Sequence, residues 1–348
     1  MKKYRPILSI AAAVAFFLIA VCFLAFYFLA RPNSGFLAQN IKTADKPAQV
    51  NNELSFSFAG DAMFGRNIGY YFQKNNFQDL FVNLDASVFQ GTDIFWLNLE
   101  GPISDKNVEQ FPLEHSLVFN FSRQTIEALK YLKIIVVGLA NNHTMNQGAA
   151  ALKKTREILE REGIDWSGDP NKNAGESIKR YRQGDITVAL LPVNTLANTG
   201  SIEELIKQEK DKNNFVIVLP HWGNEYEIFH NTNQENLAKD WIAAGADLII
   251  GTHPHVVQDA QLINGKLVFY SLGNFIFDQM FSEETQEGLI ISGLIRTDKI
   301  EIILTPVVSK KMKPEIMRGA ERQKIIDRIC QKLGEYCQGE VIEILAEK

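Results

Sequence analysis

Cysteine is scarce: three in 348 residues, too few to staple a small disulfide scaffold. Positive charge is not in excess either. Lys and Arg number 36 against 41 Asp and Glu, a net charge of -5, which argues against a nucleic-acid partner. Internal repeats and low-complexity tracts are missing, so the chain is no solenoid or fibre. What is plentiful is apolar sequence. At 46% hydrophobic residues the chain must bury a core, and its length suits about two domains or one large α/β unit with additions.

The longest apolar run covers residues 7–30, interrupted only by Ser9, Cys22 and Tyr27. As a helix it rises about 36 Å, enough to cross a hydrocarbon core of roughly 30 Å. Lys2, Lys3 and Arg5 precede it and Arg31 follows. The positive-inside rule therefore puts residues 1–6 in the cytoplasm and the rest outside. A cleaved signal peptide is the competing reading, but its apolar core is shorter and ends in a small-residue cleavage site that this run lacks. Residues 31–52 are polar, carry Pro32, Gly35 and Pro47, and read as a flexible linker. The expected location is the cell membrane, single-pass, with the C-terminal part extracytoplasmic. In that oxidising setting Cys330 and Cys337 either bridge across Gly334 or stay separate thiols.

From residue 53 to 309 short apolar runs alternate with helical patterns. Leu54–Ala59, Ile94–Leu99, Ile134–Ala140, Phe215–Leu219, Leu248–Gly251 and Leu267–Leu272 read as buried strands. Thr125–Leu132, Ala149–Arg161, Ile202–Lys210 and Gln234–Ala244 read as amphipathic helices, with Gly163 and Gly245 as left-handed stops after two of them. Residues 179–182 against 186–192, and 288–296 against 299–305, read as antiparallel hairpins, so an α/β fold with mixed sheets is expected. Residues 310–348 read as a helical extension with one short apolar run, Val341–Leu345.

The unusual polar residues fall where those strands end. Asp61, Glu100, Asn142, His143, His221, His253, His255 and Asn274 each end or follow an apolar run. In open α/β sheets ligands bind beyond the carboxyl ends of strands. Carboxylates, an amide and imidazoles, with no thiolate, form an oxygen and nitrogen donor set suited to Mn, Zn or Fe. Singly, each residue has a plainer reading: a turn or cap for Asp61, a turn carboxylate for Glu100, a left-handed turn for Asn142, a packed pair for His221 and Trp222. Asn146 suits the N-cap of the helix at Ala149. His253-Pro254-His255 is the hardest to read that way, since an extended segment held by Pro254 turns both imidazoles to one side. Arg66 is the candidate anion-binding residue or else one half of a structural ion pair, with Asn67 and Asn274 as weaker candidates for the same pocket. Trp222 and Tyr226 either line the crevice or belong to the core; His115 and His230 read as ordinary loop residues.

Six motifs, GDAMFGR (Gly60–Arg66), NLEGPIS (Asn98–Ser104), ANNH (Ala140–His143), HWGNEY (His221–Tyr226), GTHPHVVQ (Gly251–Gln258) and YSLGNFIFD (Tyr270–Asp278), resemble in type and order those of the bacterial capsule-synthesis CapA family. The resemblance implies a four-layer αββα sandwich like that of metallophosphoesterases, with an N-terminal membrane anchor. It implies one or two divalent ions. Asp61 and His255 would serve the first metal, Glu100 would bridge, and Asn142, His221 and His253 would serve the second. His143 would assist catalysis. The chain departs from that superfamily at Met63, where a histidine is usual, and at Glu100, where an aspartate is usual. The implied role is synthesis or anchoring of capsular poly-γ-glutamate, with an anionic envelope polymer or phosphorylated substrate and other membrane-bound synthesis proteins as partners. The alternatives are an extracytoplasmic metal-dependent phosphoesterase and a non-catalytic polymer-binding protein.

Overall fold

The computed structural model describes residues 52–84, 91–104, 117–171, 177–197 and 200–345. The expected cytoplasmic segment, membrane anchor, nearly all of the linker, and His115 lie outside them. Among the described residues no helix is long and apolar enough to cross a membrane.

The chain begins with β1 (Glu53–Ala62), α1 (Arg66–Lys74), β2 (Ile94–Leu99), α2 (Gln124–Tyr131), β3 (Val136–Gly138), α3 (Ala149–Arg161) and β4 (Asp165–Ser167). It continues through β5 (Lys179–Gln183), β6 (Ile186–Asn194), α4 (Glu203–Lys210), β7 (Phe215–His221), α5 (Thr232–Ala243) and β8 (Leu248–Ile250). Then follow β9 (Ala260–Ile263), β10 (Lys266–Phe269), β11 (Asn274–Ile276), β12 (Glu287–Arg296) and β13 (Lys299–Lys310). The last elements are β14 (Lys313–Ile316), α6 (Gly319–Cys330), β15 (Cys337–Gln338) and β16 (Val341–Leu345).

Two mixed sheets result. A ten-stranded sheet runs β15-β16-β13-β12-β1-β2-β3-β4, with β11 on β1 and β14 on β13; a six-stranded sheet runs β5-β6-β7-β8-β10-β9. Strands β1 to β4 are parallel neighbours, as are β6, β7, β8 and β10. Both hairpins read from the sequence, β5–β6 and β12–β13, are antiparallel as expected.

Strand β2 shows why the sheets pack. Its six residues are all buried, and alternate residues face opposite sides. Ile94 and Trp96 join a cluster with Phe56, Phe58, Leu190, Ile217 and Phe269, which draws on both sheets. Phe95 and Leu97 join a second cluster with Ile126, Leu129 and Leu159 of α2 and α3. A third cluster sets Val218 and Ile249 against Ile206 of α4 and Trp241 of α5. Each fully buried side chain of this size contributes about 1.5–3 kcal/mol, so these clusters hold the strands in place. In α3 the buried residues Leu152, Thr155, Ile158 and Leu159 recur at helical spacing, and Gly163 follows with φ 74°.

Two expectations change. Strand β1 runs on to Ala62, so Asp61 lies inside it, because β11 pairs alongside with Asp61 opposite Asn274. Gly60 permits that approach: a Cβ there would sit 1.9 Å from the Gly273 carbonyl oxygen. The second change concerns residues 310–348. They contain the expected helix, α6, but β14 and β16 pair with β13 and complete the ten-stranded sheet. Cys330 and Cys337 form a disulfide with a Cα–Cα distance of 5.6 Å, closing the turn at Gly334.

Candidate metal centre

The ends of parallel strands from both sheets meet at one place. The larger sheet brings Asp61 from β1, Asn98 and Glu100 from the end of β2, and Asn141, Asn142 and His143 from the loop after β3. The smaller sheet brings His221 from the end of β7 and His253 and His255 from the loop after β8. Hydrogen bonds tie the two together. Asn98 Nδ2 donates to Asp61 Oδ1 at 2.7 Å and lies 3.3 Å from His221 Nδ1. His253 N–H donates to Asp61 Oδ2 at 3.1 Å, and His221 Nε2 lies 3.0 Å from Asn142 Oδ1. Asn141 Nδ2 donates to Asn98 Oδ1 at 3.0 Å, while its own oxygen accepts from the N–H groups of His143 and Thr144.

Glu100 is the unusual member. It is fully buried, yet neither carboxylate oxygen has a hydrogen-bond partner. Three imidazole nitrogens surround Oε1 at a distance: His255 Nε2 at 3.6 Å, His143 Nε2 at 3.7 Å and His221 Nε2 at 4.0 Å. Leaving a buried carboxylate unpartnered is costly in a folded protein. Asp61, Glu100 and His255 each present a ligand atom within 4.8 Å of the others. Donors bound to one ion at about 2.0–2.2 Å lie about 3–3.5 Å apart, close to the 3.6 Å between His255 Nε2 and Glu100 Oε1. The group therefore fits a divalent cation.

Electrostatics follow from that geometry. Burial pushes Glu100 well above the usual carboxylate range, with Asp61 and Glu225 adding to the rise against the opposing charge of His255. Burial also opposes a proton on His255, but Glu100 and Asp61 outweigh it and push the imidazole up to about 9. Burial, then the charge on His255, pushes His253 down to about 4. Burial and the neighbouring histidines hold His221 well below its usual value, so His221 and His253 are neutral nitrogen donors near pH 7.

The segment His253–His255 is not extended. His253 has φ 98° and His255 φ 58°, both left-handed, and these turns rather than a straight segment aim the rings together, with centroids 6.0 Å apart. Left-handed conformations at non-glycine residues cost about 1–3 kcal/mol each and cluster at functional sites. His255 Nδ1 also lies 3.0 Å from Asn274 Oδ1, which makes Asn274 an orienting residue. Met63 is buried in the outer cluster, and its sulfur accepts the Gly65 N–H at 3.0 Å.

His143 stands at the edge of the group. Its ring stacks on Phe119 at 4.2 Å and its Nδ1 meets Asn146 Oδ1. Asn146 thus orients a histidine and does not cap α3, whose N-cap is Gly148 with φ 81°. Arg66 pairs with Asp278, and its guanidinium lies 5.2 and 5.4 Å from the Phe119 and Phe277 ring centres. Asp278 also accepts the Asn67 N–H at 3.2 Å. Trp222 is core, fully buried and stacked on Trp241, whereas Tyr226 is half-exposed beside His255. His230 is structural, stacked on Tyr270 and paired with Asp259 at 2.9 Å.

Sequence reasoning missed Asn98, Asn141, Asp278 and Glu225, and gave Asn146 a capping role in place of its contact with His143. Glu225 groups with His253 and His255, where the family resemblance implied Glu100, Asn142 and His221 as partners of His253. Its only signal was a place in HWGNEY, four residues beyond His221.

The family model of the bacterial capsule synthesis protein PGA_cap matches residues 55–279, a span that includes every one of these site residues. The PGA biosynthesis protein CapA of Bacillus subtilis (strain 168) is 28% identical over 295 residues, covering 79% of this chain and 77% of that protein. The capsule biosynthesis protein CapA of Bacillus anthracis is 29% identical over 269 residues, 69% of this chain and 64% of that protein. Among solved structures, a hypothetical protein from Thermus thermophilus aligns with 76% of this chain and 99% of its own, at 17% identity and TM-score 0.43.

Proposed function

We propose, from the premise that this chain belongs to the bacterial capsule synthesis family PGA_cap, that it serves in making or anchoring an anionic envelope polymer of the poly-γ-glutamate kind. The domain works outside the cell, held to the membrane by the apolar run at residues 7–30, alongside other membrane-bound synthesis proteins. We read its two packed sheets and flanking helices as the four-layer αββα sandwich of metallophosphoesterases. The observation that carries the site is Glu100, buried with both oxygens unpartnered among three imidazoles.

Asp61, Glu100 and His255 would hold a divalent cation, Mn, Zn or Fe, with the neutral rings of His221 and His253 beside them. When bound, such an ion polarises a phosphoryl or carboxyl oxygen. The rest falls to the chain itself. Asn98 and the His253 N–H keep Asp61 fixed. His143 holds or moves a proton at Nε2, because its Nδ1 is occupied by Asn146. Arg66, fastened by Asp278, lends positive charge to the pocket and favours an anion there. The same donor chemistry supports a second reading, an extracytoplasmic phosphoesterase acting on an envelope phosphodiester.

Two measurements test this. Deleting the gene should change the amount or attachment of surface glutamate polymer; an unchanged envelope removes the polymer role. Purified full-length protein should carry Mn, Zn or Fe, lost in Glu100→Gln. Turnover of a generic phosphodiester that disappears in His253→Ala favours the phosphoesterase, and bound metal without turnover favours the polymer role.

A further inference from the structure

A second group of donors faces the same histidine from the solvent side. Glu225 is exposed, in the loop after β7, and presents a ligand atom within 4.8 Å of those of His253 and His255. The loop is fastened there: Tyr226 N–H donates to the Pro254 carbonyl at 2.8 Å, between the two histidines. Tyr226 adopts φ 67° to do so, and its ring stacks over His255 with centroids 6.2 Å apart. His253 is 6% exposed, and its buried Nδ1 has no hydrogen-bond partner.

His255 cannot serve two ions at once. Its Nδ1 faces two acceptors, Asn274 Oδ1 at 3.0 Å and Asp61 Oδ2 at 3.4 Å, and so carries the hydrogen. A neutral imidazole then has one lone pair left, on Nε2. The buried group Asp61, Glu100, His255 and the outer group Glu225, His253, His255 have His255 in common, and with Nδ1 engaged only its Nε2 is left to serve either. We propose that the two groups are halves of one coordination shell, in which Glu225, with His253, closes the solvent side of the cation that Asp61, Glu100 and His255 hold from within. The inference rests on the cation reading above and adds its outer ligand. Charge agrees with it: two buried carboxylates neutralise a divalent ion, and the third, being exposed, is the one solvent can reach.

The test is cobalt(II) binding to the full-length protein, followed by titration calorimetry and the visible spectrum of the bound ion. Wild type is expected to take one cobalt per chain. Glu225→Gln, a change at an exposed position, should keep that stoichiometry, weaken affinity at least about tenfold and alter the spectrum, whereas Glu225→Asp should restore part of both. Equal affinity and spectrum in wild type and Glu225→Gln would overturn the outer-ligand role alone, provided Glu100→Gln abolishes binding. Two cobalt ions per chain would overturn the shared shell. A wild type that takes up no cobalt removes the cation reading itself, and this inference with it.

Discussion

His143 Nδ1 lies 3.0 Å from Asn146 Oδ1, and this contact decides which ring nitrogen faces the carboxylates. An amide oxygen accepts, so the Nδ1 hydrogen points to Asn146 and the Nε2 lone pair is directed at the pocket, 3.7 Å from Glu100. Burial lowers the His143 pKa while the Asn146 hydrogen bond works the other way.

Removing that bond should therefore lower the His143 pKa further. Asn146→Ala is expected to lower it, and Asn146→Asp to raise it through the added negative charge. Proton NMR titration of the His143 ring reads both shifts. Equal titration curves in all three proteins would show that Asn146 does not orient the ring.

Glu100 should make the metal-free protein less stable than it need be. Its pKa is raised by burial, so the folded state holds that proton more tightly than the unfolded state does, and stability falls as pH rises above the ordinary glutamate value. Glu100→Gln is expected to stabilise the metal-free chain by about 1–3 kcal/mol at pH 7. Thermal melts with a chelator present would show it as a higher Tm. An unchanged or lower Tm would mean that the carboxylate is better solvated than its burial implies.

Cation affinity should rise with pH. His255 is pushed up to about 9, so near neutrality a cation must displace its proton, as well as any on Glu100. His221 and His253 are already neutral and release none. For one proton displaced, affinity increases about tenfold per pH unit up to about 9. Calorimetry in two buffers of different ionisation enthalpy counts the protons released; a count of zero contradicts the raised His255.

Away from the site, Asp259 links three distant segments of the chain. It pairs with His230 at 2.9 Å and Lys332 at 2.8 Å, and although burial opposes its charge these bonds hold its pKa down to about 2. A depressed carboxylate contributes stability above its unfolded pKa and loses it as pH falls through the folded value. The contribution is on the order of 2 kcal/mol and should fade between roughly pH 4 and 2. Asp259→Asn should remove that fraction of acid sensitivity in denaturant melts taken across this range.

Much of this protein was legible residue by residue. Strand β2 and helix α3 fall on Ile94–Leu99 and Ala149–Arg161, as their apolar spacing indicates, because period and burial are local properties of a sequence. The loop His253–His255 was misread for the opposite reason: its left-handed turns are imposed by partners, Asp61 on the His253 N–H and Tyr226 on the Pro254 carbonyl. Glu225 escaped notice because it sits in a loop, where no periodicity marks it.

The order of residues alone indicated the main strands and helices, the family motifs and, Asp61 excepted, the placing of donor side chains at or just past strand ends. Tertiary structure decided which ends adjoin. Asp61 and Glu100 come from one sheet, His221 and His255 from the other, and they meet because a cluster drawn from Phe56, Trp96, Ile217 and Phe269 packs the two sheets together. Contacts between distant segments depend on the shape of whole buried faces, which no local pattern of residues encodes.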